Sequence, residues 1–110
     1  MLNIESVREY ALKKQDVTEE FPFGDDVMVY KVKGKMFLLL PLDIQPMQFN
    51  VKCDPEKAIE LREEYPEAVL PGYHMNKKHW NTVIADGTLS SKQLLQMIDD
   101  SYLLVDKKKR

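Results

Sequence analysis

Apolar residues along the chain recur in two rhythms, one of three to four residues and one of two. The first rhythm opens the chain: Ile4, Val7 and Ala11 lie on one face of a helix reading from Asn3 to about Lys14, with Leu12 beside Ala11. Asn3 can cap that helix, and Glu5 sits in its first turn. The second rhythm begins at Val27. Met28, Tyr30 and Val32 alternate with Lys31 and Lys33, as in a half-buried strand, and Gly34 permits a tight turn. Met36 to Leu40 returns as a strand apolar on both faces, ended by Pro41, which fits only where no ladder donor is required. A third strand is expected over Gln48 to Lys52, with Phe49, Val51 and Cys53 on one side.

Asp54-Pro55-Glu56 supplies a capping carboxylate, a proline at the first helical position and an acid near the positive end of the helix dipole. Ala58, Leu61 and Tyr65 form the buried stripe of this second helix, and Pro66 stops it. Short strands follow near Ala68 to Leu70 and at Trp80 to Ala85, then an Asp86-Gly87 turn. A last helix is opened by a Ser90/Gln93 capping box and buries Leu94 or Leu95, Ile98, Tyr102 and Val105. The element order is α-β-β-β-α-β-β-α. Short connections favour antiparallel neighbours, so the fold class is α+β, a two-layer α/β arrangement with a single antiparallel sheet. Helices on one face leave the other apolar row of the Met36–Leu40 strand in need of cover, from a dimer or a folded-back loop.

With 110 residues the chain is expected to form one domain over 1–110, large enough for a core without metal or disulfide staples. Its longest apolar run, MFLLLPL, falls short of the ~20 residues that span a bilayer, and MLNIESVREY lacks the layout of a signal peptide. One cysteine excludes an intrachain disulfide. A cytoplasmic protein without membrane partners is the expectation. Net charge is −2, so a basic surface, if present, is local. Charge is uneven: Gln15 to Tyr30 holds Asp16, Glu19, Glu20, Asp25 and Asp26 but no lysine or arginine, and the chain ends Lys107-Lys108-Lys109-Arg110.

The residues that could carry chemistry are few. Pro71 to Val83 holds both histidines, the only tryptophan and the pair Lys77-Lys78. If Met75-Asn76-Lys77-Lys78 links two strands, His74 and His79 face each other at the hairpin base, and the lysines at the tip can meet phosphates while Tyr73, His79 or Trp80 supports stacking. The plainer reading makes Trp80 a core anchor with Thr82 and Ile84 on its face, and the lysines a solubilising hairpin tip. Tyr73, His74, His79 and Trp80 together are a candidate small-ligand pocket. His74 and His79 alone make a poor metal site: no third histidine or second cysteine exists, and holding the loop by hydrogen bonds is the simpler role. The acids Glu19, Glu20, Asp25 and Asp26 read as solvated loop rather than iron ligands. Cys53 lies beside Lys52 and a helix start, yet alternation points it inward, so a buried thiol is favoured over a reactive one. Ser101 can bond a carbonyl one turn back. No glycine-rich phosphate loop and no nucleophile–base pair can be read, so neither enzyme activity nor a cofactor is expected.

Several of these stretches carry a resemblance. Phe21-Pro22-Phe23-Gly24, Tyr30 to Phe37, Lys52-Cys53-Asp54-Pro55, Leu61-Arg62, Gly72 to Val83, Asp86 to Leu89 and Ser101-Tyr102 look like the signatures of the MmcQ/YjbR family. Leu103 stands where the family commonly has an acidic or polar residue. The resemblance implies a two-layer α/β fold with an antiparallel sheet, of the CyaY-like or secretion-chaperone-like kind, and a DNA-binding role. On that implication the DNA contacts are Asn76, Lys77, Lys78, His79 and Lys107, Lys108, Lys109 and Arg110. Two hairpin lysines and two tail cations on phosphates would lose roughly 100-fold in affinity between 50 and 200 mM salt. The alternative is a homodimer or another protein partner held on the apolar sheet face.

Overall fold

The computed structural model describes residues 2–72 and 76–106. Helix α1 spans Ile4–Leu12, α2 Pro55–Glu64 and α3 Ser91–Asp106; strands β1 to β6 span Val17–Glu20, Val27–Val32, Lys35–Pro41, Gln48–Lys52, Val69–Pro71 and Trp80–Ile84. The strands form one antiparallel sheet in the order β1-β2-β3-β4-β6-β5. The α+β class and single sheet follow the sequence reading, with one strand added: β1 lies inside the acidic stretch expected to be a loop. It pairs Glu19 with Tyr30 and Glu20 with Val29.

Local chemistry accounts for the element ends. Asn3 and Ser6 close a reciprocal capping box on α1, Asp54 accepts from the amides of Glu56 and Lys57 to open α2, and Ser90 and Gln93 exchange bonds at the start of α3. The β2–β3 turn places Lys33 and Gly34 at φ 53° and 83°, the paired left-handed conformations that a two-residue hairpin of this hand requires.

All three helices lie on one face of the sheet. Beneath them Met28, Tyr30, Val32, Leu38, Leu40, Phe49, Val51 and Val83 meet Val7 and Ala11 of α1, Leu61 of α2 and Leu94, Ile98 and Val105 of α3. Trp80 is buried, as expected, at 7% exposure. Its row, however, points away from the helices: it clusters with Val29 and Leu39 on the opposite face, with Val27 and Met36 packed alongside. Leu39 is the other apolar row of the third strand, so that row is closed within the chain, without a second copy. On β6 the row facing the helices is Asn81 and Val83.

Ser101 ties the layers together differently from expectation. Its hydroxyl does not bond back along its own helix. It donates to the carbonyl of Phe37 at 2.6 Å and accepts from the amide of Lys52 at 2.8 Å. The β3–β4 register runs through Leu38–Val51 and Leu39–Asn50, so Phe37 and Lys52 are the next pair along. A hydroxyl from α3 thus stands between the two backbone groups where the seam between these strands opens.

Candidate functional site

Two regions carry unspent chemistry: the lysine turn before β6 and a groove beneath α2 and α3. The turn is built by Asn76. Its side-chain oxygen accepts from the amide of Lys78 at 3.0 Å, and its carbonyl accepts from the amides of His79 and Trp80. Arg62 of α2 clamps the turn from below: Nη2 donates to the carbonyls of Lys77 and Trp80, and Nε donates to Asn81 Oδ1 at 2.8 Å. Lys77 and Lys78 are exposed, with the Lys77 ammonium 3.3 Å from the carbonyl of Gly72. The His79 carbonyl accepts from the amide of Cys53 at 2.7 Å, joining the turn to the end of β4. Lys52 is the register partner of Trp80, so it adds a third cation at this end of the open face.

Among the sequence-derived contacts, Asn76, Lys77, Lys78 and His79 therefore form one turn, with Trp80 directly after it. Tyr73, His74 and Lys107 to Arg110 lie outside the described residues, so the pairing of His74 with His79 and the position of the basic tail do too. No group of three or more histidine, cysteine, aspartate or glutamate side chains fit to hold a metal occurs among the described residues. The acids Glu19 and Glu20 stand on the opposite sheet edge: Glu19 pairs with Arg8 at 2.7 Å and Glu20 with Lys31 at 3.0 Å. Arg62 entered the sequence reading only as part of a family signature; nothing in helix periodicity marks it as the clamp.

The groove encloses about 310 Å³. Its floor is Val51 of β4 with Asn81 and Val83 of β6; Leu61 forms the α2 wall and Met97, Leu103 and Leu104 the α3 wall. Helices α2 and α3 are joined at one end, where Gln93 Nε2 donates to the Tyr65 hydroxyl at 3.1 Å. The groove between them is rimmed by Cys53, Asp54, Lys57 and Asp100. Cys53 is thus half-buried at a cavity edge rather than enclosed in the core. Burial pushes its thiol pKa up, and the neighbouring Asp54 and Asp100 push it further, so it is a poor nucleophile at neutral pH.

The comparisons with known proteins agree with this architecture. The YjbR family model matches residues 12–104. The uncharacterised protein YbdF of Escherichia coli O157:H7 is 38% identical over 102 residues, which cover 92% of this chain and 82% of that protein. The uncharacterised YjbR of Escherichia coli K12 is 28% identical over 101 residues, covering 92% and 85%. Among solved structures, Deinococcus radiodurans protein DR2400 superposes with a TM-score of 0.93 at 39% identity, covering 98% of this chain and 81% of that one. A Pseudomonas syringae protein superposes at 0.76 with 29% identity, covering 94% and 99%. With a family match across most of its length, the chain belongs to the YjbR family.

Proposed function

We propose that this YjbR-family protein is a binding protein rather than an enzyme, and that its Lys77–Lys78 turn makes weak contacts with DNA phosphates that do not depend on sequence. The observation that supports this is the strand order. The lysine turn precedes β6, whereas the Gln15–Asp26 acids surround β1, four strand positions away. At ~4.8 Å per strand that is roughly 19 Å, beyond the ~8 Å over which exposed charges interact at physiological salt. The cations are not neutralised by the acidic edge. The helix side of the turn is acidic, with Glu56, Glu60, Glu63 and Glu64 on α2, so a phosphate backbone approaches from the open sheet face, where Lys52 joins the pair. Three such contacts make affinity fall roughly 40-fold between 50 and 200 mM salt. Fluorescence anisotropy of a labelled duplex at 50 mM salt tests this. Binding that disappears in the Lys77→Ala/Lys78→Ala variant supports it; no binding, or binding that the variant leaves intact, removes it.

A protein contact is the second reading, and its location shifts. Val29, Leu39 and Trp80, the apolar row on the sheet face away from the helices, are buried within the chain, so that row offers little to a partner. Phe21 and Phe23 instead stand 47% and 62% exposed in the loop after β1. A Phe21→Ser/Phe23→Ser variant eluting at an unchanged volume, from a protein that already elutes as a monomer at high concentration, would remove self-association through this loop.

A further inference from the structure

The floor of the α2–α3 groove carries an unmet hydrogen-bonding group. Asn81 is 1% exposed. Arg62 Nε reaches its Oδ1 at 2.8 Å, and because a guanidinium only donates, that bond fixes which end of the carboxamide faces Arg62. Asn81 lines the groove, and the other end of its carboxamide, the NH2, has no hydrogen-bond acceptor among the described residues. Buried polar groups are nearly always paired, and a buried donor left unpaired is costly. The surrounding surface is apolar: Val51, Leu61, Val83, Met97 and Leu104. A small, well-formed apolar cavity with one converging polar group is the usual form of a small-molecule site, and about 310 Å³ lies at the lower end of that size range.

The rim narrows the chemistry. Asp54 and Asp100 face a single ammonium, Lys57. Asp54 also caps α2 and Asp100 accepts from Gln96 at 2.9 Å, which hold both carboxylates in place. An anionic ligand would pass a rim with more negative than positive charge.

We propose that this groove binds a small, largely apolar molecule whose inner end carries an uncharged carbonyl oxygen that accepts a hydrogen bond from the Asn81 NH2. The apolar body lies along Val51, Val83, Leu61 and Met97, and the outer end meets the acidic rim. This site is separate from the lysine turn, although Arg62 touches both.

The test is a titration of the isotope-labelled full chain with N-benzylacetamide, followed by nuclear magnetic resonance. The expected result is saturable shifts of the Asn81 side-chain NH2 and of Val51 and Val83, with phenylacetate binding more weakly. Asn81→Leu is expected to weaken binding about tenfold, the scale of one hydrogen bond. If that variant loses its fold through the orphaned Arg62, Leu104→Trp decides. Leu104 is a partly exposed wall position, and an indole there fills the mouth and is expected to abolish the shifts. Absence of saturable shifts, phenylacetate binding as tightly as the amide, or undiminished binding to Leu104→Trp overturns the proposal. Shifts of the same groups on concentrating the protein alone overturn it as well, since a second copy would then occupy the groove.

Discussion

The helix layer treats its two ends differently. Over β1 to β3, α1 and α3 are laced shut. Arg8 reaches Glu19, Tyr30 donates to Glu19 at 2.8 Å, Tyr10 and Lys14 converge on Asp99, and the Tyr102 hydroxyl donates to the carbonyl of Gln15 at 2.7 Å. Over β4 and β6, α2 and α3 touch through Tyr65 and Gln93, and a groove lies between them. One end uses long polar side chains to fill the space between helices. The other places short or apolar residues there, Val51, Val83, Leu61 and Met97, and leaves a cavity. The polar groups at the closed end meet partners within this chain, while the Asn81 NH2 meets no acceptor among the described residues. A single layer can therefore supply rigidity on one side and a receptive surface on the other.

Ser101 stands between these two ends and gives the largest expected effect. Ser101→Ala leaves both the Lys52 amide and the Phe37 carbonyl without their partner, and should cost about 3 kcal/mol by urea unfolding. Such a loss would show that the seam, not the lacing, limits stability; a loss under 1 kcal/mol would show that water replaces the hydroxyl. Next comes the closed end. Tyr30→Phe should cost about 2 kcal/mol, the worth of one hydrogen bond to a charged acceptor after solvent competition. The pH dependence follows from Glu19. Burial raises its pKa, but the hydrogen bonds from Arg8 and Tyr30 and the Arg8 charge outweigh burial and hold it below the ordinary value. The folded carboxylate thus binds its proton less readily than the unfolded one. Its contribution is complete above about pH 5 and fades as pH falls through the depressed pKa. Unfolding midpoints measured from pH 6 to pH 3 should decline less steeply in Glu19→Gln than in the parent chain.

At the open end, Cys53 should alkylate with iodoacetamide more slowly at pH 7.5 than a free cysteine, and faster as pH is raised past 9, because burial and two carboxylates keep the thiol protonated. Mass spectrometry of timed samples reads this directly. A rate equal to that of free cysteine would mean that the rim is wetter and less acidic than its geometry implies. The smallest effect belongs to Leu103→Lys. Leu103 is 56% exposed on the groove wall, and its replacement should change stability by less than about 0.5 kcal/mol.

Much of the fold was legible because caps, prolines and alternation agree. Asn3, Asp54-Pro55 and Ser90/Gln93 mark their helices, and Gln48 to Lys52 is a strand with the bounds its alternation predicts. Strand β1 was hidden because its inward position after Val17 is Glu19, a charge that becomes compatible with burial only when Arg8 and Tyr30 arrive from other elements. The orientation of β6 was hidden for a related reason. Trp80, Thr82 and Ile84 look like the interior row, whereas the row beneath the helices contains Asn81, which reads as polar and outward until Arg62 is seen beside it. The lysine turn was legible as a feature and its separation from the acids was not, because separation depends on strand order, which local pattern does not specify. The groove left no local signal: its lining comes from four separate elements, β4, α2, β6 and α3 from its middle onward.

The hydroxyl bridge at Lys52 and Phe37 also bears on how the chain assembles as it leaves the ribosome. The hairpin of β2 and β3 and the pair β4–β6 can each form from residues already synthesised, but the junction between them is fastened by a residue near the end of the final helix. A nascent chain halted before Ser91 would hold β3 to β4 only through the Leu38–Val51 and Leu39–Asn50 pairs, so emergence of α3 adds the clasp that extends this border to Phe37 and Lys52.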